Sequence, residues 1–154
     1  MIAFLFWLLT TLACGYAWVC GGKEGRWAAG LIIGACFLTI PASLLGPRFG
    51  RFEPAVFSVD LGLLVGLYLL ALGSLRCWPI WMAGFHLVAV FSHLGTLLAP
   101  RFVAKVYFAA ETFWAIPVLI AMITGIALDR SADTRESRDG DPHLRKHIEI
   151  PERT

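Results

Sequence analysis

Asp60, His86, His93 and Glu111 lie inside long apolar runs, where ionisable groups are costly. Histidine titrates near neutrality and carboxylates take up and release protons, so such a set could relay protons or guide a cation. It could also tie helices together through carboxylate–imidazole hydrogen bonds, worth roughly 0.6 to 2 kcal/mol each in a membrane. His93 with Asp60 and Glu111 would suit a hard or borderline metal ion. His86 and His93 are seven residues apart, about 10 Å along a helix, so one small ion cannot take both. A haem between two histidines draws them from facing helices, and no other apolar run contains one. The structural role is the leading expectation for this cluster.

Enzyme signatures are missing. The chain has no H-E-x-x-H, no G-x-S-x-G and no phosphate-cradling glycine loop. Ser92 precedes His93 directly, so the two point in different directions on a helix. Cys14, Cys20, Cys36 and Cys77 form no C-x-x-C and read as reduced, structural thiols. His143 and His147 share one helical face, but nothing completes a zinc set. The expected protein is not an enzyme and carries no cofactor.

The elements that must position these groups are five apolar runs: residues 2–20, 27–45, 55–75, 78–99 and 106–128. About 20 helical residues cross a hydrocarbon core of roughly 30 Å. Strands are far shorter, and barrel segments would alternate, which these do not. Inside lipid each backbone amide needs a partner within its own segment, so every run reads as a helix. Composition agrees, with 58% hydrophobic and 16% charged residues. A net charge of +2 offers no footprint for nucleic acid. The expected fold is all-α: an integral membrane bundle of five transmembrane helices.

The first run has no Lys or Arg before it and exceeds a usual signal core, so a retained helix is expected. Basic residues beside the helix ends set the orientation. Lys23, Arg26, Arg76, Arg130, Arg135 and Arg138 fall on one side; Arg48, Arg51, Arg101 and Lys105 fall on the other. The N-terminus is therefore expected outside and the C-terminus in the cytoplasm of a bacterial inner membrane. Trp18, Trp27, Trp78 and Trp81 would then lie at the cytoplasmic headgroups. Trp114 lies deeper, where it packs between helices or walls a pocket.

With this topology Asp60, His93 and Glu111 sit at one level, roughly 8 to 9 Å below the outer boundary. They are expected to converge inside the bundle, with His86 two turns deeper on the face of His93. Short connections make sequential helices antiparallel neighbours. Gly30 with Gly34, and Gly62 with Gly66, mark expected contact faces. Pro41 and Pro117 free the carbonyls of Phe37 and Phe113 and shape their helices. Arg76 to Pro79 is the tightest connection, and Pro79 suits the first turn of the fourth helix. Residues 129–154 mix both charge signs and read as a polar, disordered cytoplasmic tail.

The functional expectation is a non-catalytic accessory or scaffold protein of the cell membrane. Its partners would be the lipid bilayer and another membrane protein or a second copy. The alternative is a small proton or cation transporter using Asp60, His86, His93 and Glu111, and a metal- or haem-binding protein stands behind both.

Overall fold

A computed structural model describes residues 2–45, 54–98 and 104–139; within them, the side chains of residues 2–3, 43–45, 93, 95–98, 104–112, 136 and 138–139 are outside the description. The described residues form five helices and no strand. These are α1 (Ile2–Cys20), α2 (Gly22–Leu45), α3 (Pro54–Gly73), α4 (Trp78–Leu98) and α5 (Ala104–Asp139). Each helix packs mainly on its sequence neighbours, and α5 closes back onto α1. The result is a ring of five rods.

Three stretches, 22–42, 54–73 and 113–135, are long and apolar enough to cross a membrane. The apolar segments described in α1 and α4, Phe4–Cys20 and Trp78–Ser92, are shorter. The outer surface matches a lipid solvent. Phe4, Leu12, Val19, Phe37, Leu69 and Leu72 are all at least 60% exposed, whereas monomeric soluble proteins rarely show continuous apolar surface of this kind.

α2 starts at Gly22, five residues earlier than the apolar run suggests, because the chain reverses almost at once. Gly21 still donates its N–H to Ala17 O at 2.8 Å, which completes α1. Gly22 then takes φ 62°, a left-handed conformation that glycine adopts without a Cβ penalty. The connection from α3 to α4 is tied by Arg76 N–H to Ser74 Oγ at 3.1 Å and Ile80 N–H to Cys77 O at 3.2 Å. Pro79 sits in the first turn of α4, as its type requires.

The tail expectation needs correction over residues 129–139. α5 does not stop at Leu128 but runs on to Asp139, giving 36 residues and a length of roughly 54 Å. It therefore outlasts any hydrocarbon core. Charge ends a membrane span without ending a helix, and the hydroxyls here bond back to their own helix. Ser131, Thr134 and Ser137 donate to Ala127 O, Arg130 O and Asp133 O at 2.8 to 2.9 Å. Residues 140–154, with His143 and His147, lie outside the described residues. Pro41 and Pro117 both lie within continuous helices.

Small side chains decide where rods touch. Ala13, Ala17, Ala28 and Ala29 are fully buried where α1 meets α2. A Cβ at Gly25 would lie 2.5 Å from Ala17 O, and one at Gly21 would lie 2.6 Å from the same oxygen and 2.9 Å from Ile126 Cδ1 of α5. A Cβ at Gly125 would collide with the Trp78 side chain. The expected contact glycines are corrected in part. Gly66 does pack closely, against Leu31, but a Cβ at Gly30, Gly34 or Gly62 would meet nothing within 4 Å. Backbone approach is governed by what the facing helix presents, which spacing along one helix does not reveal.

Trp78 also departs from its expected place in a headgroup belt. It is 4% exposed, and its indole is spent on the α4–α5 contact. Trp18, Trp27 and Trp81 remain exposed near the same end.

Candidate functional site

The Asp60 level is built by α3 and α4. Asp60 lies in the second turn of α3 and is half-buried. His86, on the facing side of α4, is 8% exposed. Its Nε2 lies 3.0 Å from the main-chain oxygen of Asp60. A carbonyl oxygen only accepts, so His86 donates there and carries the proton on Nε2. This hydrogen bond joins α4 to the backbone of α3.

His86 thus reaches the backbone of α3 at Asp60. The side chains of His93 and Glu111 lie outside the described residues. Ser92, beside His93, donates to Val88 O of its own helix at 3.0 Å. Trp114 is half-buried and packs edge-to-face on Phe113, with ring centroids 5.5 Å apart. Among the described residues, no three His, Cys, Asp or Glu side chains converge as a metal site. All four cysteines are free thiols, with Cys14 buried and Cys77 exposed.

Removing the imidazole tests the contacts of His86, the one to the Asp60 carbonyl among them. His86→Phe keeps the ring's bulk and takes away the donor to the Asp60 carbonyl. The expected cost is about 1 kcal/mol, in the range of interhelical hydrogen bonds in membranes. A loss above roughly 3 kcal/mol in thermal unfolding would mean that His86 also anchors a larger polar network.

A second polar centre lies at the opposite end of the ring. Arg76, between α3 and α4, places Nη1 2.7 Å from Asp129 Oδ2 of α5 and Nε 4.0 Å from Glu24 Oε2 of α2. One guanidinium therefore links three parts of the chain. The hydrogen bond to Asp129 raises the Arg76 pKa above the ordinary arginine value, desolvation opposes it, and the charges of Asp129, Glu24 and Asp133 add to the rise. A base with a raised pKa stabilises the fold fully below its unfolded value, and that stability fades only as pH climbs through the folded value. The contribution from the arginine is thus constant across neutral pH.

About a third of each of these side chains is exposed, so water screens them. Arg76→Gln is expected to lower stability by about 0.5 to 1 kcal/mol, with the same loss at about pH 6 and pH 9. A loss that varies strongly between those two pH values would assign the linkage to another group.

In the sequence Arg76 stands out as an orientation signal and as the start of the tightest connection, but its partners do not. The clue was present: Glu24, Arg76 and Asp129 each border a run whose ends fall on the same side.

No protein-family model, curated protein or solved structure matches this chain.

Proposed function

We propose that this is a multi-pass protein of the cell membrane that works without catalysis, as an accessory or scaffold protein acting through its helix surfaces. All five helices cross the bilayer in this reading. One observation supports it above the others. Among the described residues between the Asp60–His86 level and the Arg76 end, the fully buried side chains include the contiguous apolar set Ala17, Ala28, Leu67, Met82, Met122 and Ile126, and the buried Trp78 Nε1–H beside them has no hydrogen-bond partner. A carrier must pass its ion through that layer, and dehydrated ions are costly there. Packing is the role such an interior suits.

The rival reading, a proton or cation carrier over Asp60, His86, His93 and Glu111, draws on the nearness of His86 to Asp60. Vesicles containing the purified full chain separate the two. Under an imposed pH gradient the scaffold reading expects proton flux equal to that of empty vesicles. Flux in the wild type that disappears in Asp60→Asn or Glu111→Gln, with helix content unchanged, would establish the carrier instead.

The inside excess of basic residues supports an N-terminus outside and a cytoplasmic C-terminus in a bacterial inner membrane. A reporter fused after Thr154 that works only outside the cytoplasm is expected to stay silent. Activity there would reverse the topology.

A further inference from the structure

At the corner where α1 turns into α2, an open pocket of about 330 Å³ is lined by Trp18, Lys23, Arg26, Trp27 and Gly30. Gly30 also lines an open groove of about 400 Å³ between α2 and α3, whose walls include Leu31, Gly34, Leu38, Val59 and Gly62. The two cavities therefore meet at one residue without a side chain. From Arg26 to Leu38 the path covers about 18 Å of helix, a little more than half of a hydrocarbon core of roughly 30 Å. We infer that this paired cavity is a binding site for one anionic phospholipid, with its headgroup between Lys23 and Arg26 and an acyl chain in the α2–α3 groove. The inference rests on the membrane-spanning reading and is independent of whether the protein is a scaffold or a carrier.

Charge argues for the headgroup. Lys23 lies in the first turn of α2, where the helix dipole disfavours a cation and favours an anion. Glu24, the acid nearest in sequence, faces Arg76 instead. Among the described residues, neither Lys23 nor Arg26 is within ion-pair distance of an acid. Arg26 Nε lies 3.5 Å from Trp18 O, a long contact at the pocket's edge, and its other N–H groups can face a phosphate. Trp18 and Trp27 are 54% and 66% exposed, and indoles favour the headgroup level with one edge wet.

Shape argues for the chain. Gly30, Gly34 and Gly62 leave the groove unfilled, since a Cβ at any of them would touch nothing within 4 Å. A partner helix would need no cations at the groove's mouth. A free phosphate would need no groove.

The full-length protein in detergent can be titrated with phosphatidylglycerol or phosphatidylcholine of the same acyl chains and observed by native mass spectrometry. The wild type should take one phosphatidylglycerol with roughly 30-fold preference, from about 1 kcal/mol for each of two cations. Lys23→Ala with Arg26→Gln should bring the preference to within about threefold. Gly30→Leu, which has room to fold, should weaken phosphatidylglycerol binding at least tenfold by filling the junction. Equal binding of the two lipids by the wild type would overturn the site. So would displacement of phosphatidylglycerol by millimolar inorganic phosphate, which would show the anion alone to be the ligand. A change of oligomeric state in Gly30→Leu would make the groove a contact between copies and overturn the lipid assignment.

Discussion

Gly125→Val is expected to be among the most destabilising substitutions in the bundle, at about 3 kcal/mol or more. A Cβ at position 125 would occupy the space of the Trp78 side chain. The indole cannot withdraw easily: Trp78 is 4% exposed and Pro79 beside it is fully buried. α4 and α5 would have to separate, although they share the most extensive helix pairing in the ring. Thermal unfolding followed by circular dichroism should show the midpoint falling by roughly 6 °C or more, from about 2 to 4 °C per kcal/mol at this chain length. Gly125→Ala should fall between the two. Trp78→Leu tested with and without Gly125→Val should give a coupling of about 1 to 3 kcal/mol, since the two positions compete for one volume. A Gly125→Val protein that melts with the wild type would mean that α4 and α5 do not pack through Trp78.

Gly25→Val should come next, with an expected loss of about 2 to 3 kcal/mol. The atom it meets is backbone: a Cβ there would lie 2.5 Å from Ala17 O and 3.3 Å from its carbonyl carbon. Backbone cannot rotate aside as a side chain can, so the α1–α2 hairpin must open. That oxygen also accepts the Gly21 N–H that completes α1, and shifting it would disturb the turn at Gly22. Gly34→Ala provides the contrast. With open space at its Cβ, it should be neutral or stabilising by up to about 1 kcal/mol, the propensity difference between Gly and Ala in a helix. Equal losses in Gly25→Val and Gly34→Ala would show that backbone approach is not what distinguishes these glycines.

Both expectations depend on contacts that the pattern of glycines could not assign. Gly30 and Gly34 have the spacing of a packing face, yet they border a groove. Gly21 and Gly25 have the same spacing and do the packing. Both pairs look alike in one dimension. What separates them is the facing surface, Ala17 and Ile126 for one pair and open space for the other.

The polar groups teach a similar lesson. Asp60 was legible as an exception inside an apolar run, because lipid selects strongly against carboxylates. That His86 would reach the backbone of Asp60 was not, since it depends on the axial offset of α3 and α4. Arg76 was legible as a charge at a helix end. Its bond to Asp129, 53 residues away, required knowing that α5 returns to the same end and continues as helix beyond Leu128.

Sequence alone determined the helical class, the approximate runs and the tight turn before Pro79, because backbone satisfaction in lipid and residue stereochemistry are local constraints. Tertiary structure decided the ring closure of α5 onto α1, the burial of Trp78, the pairing of Arg76 and the open groove beside Gly30. Those features depend on the rotation and axial shift of one rod against another, and these are set by side chains on two surfaces at once.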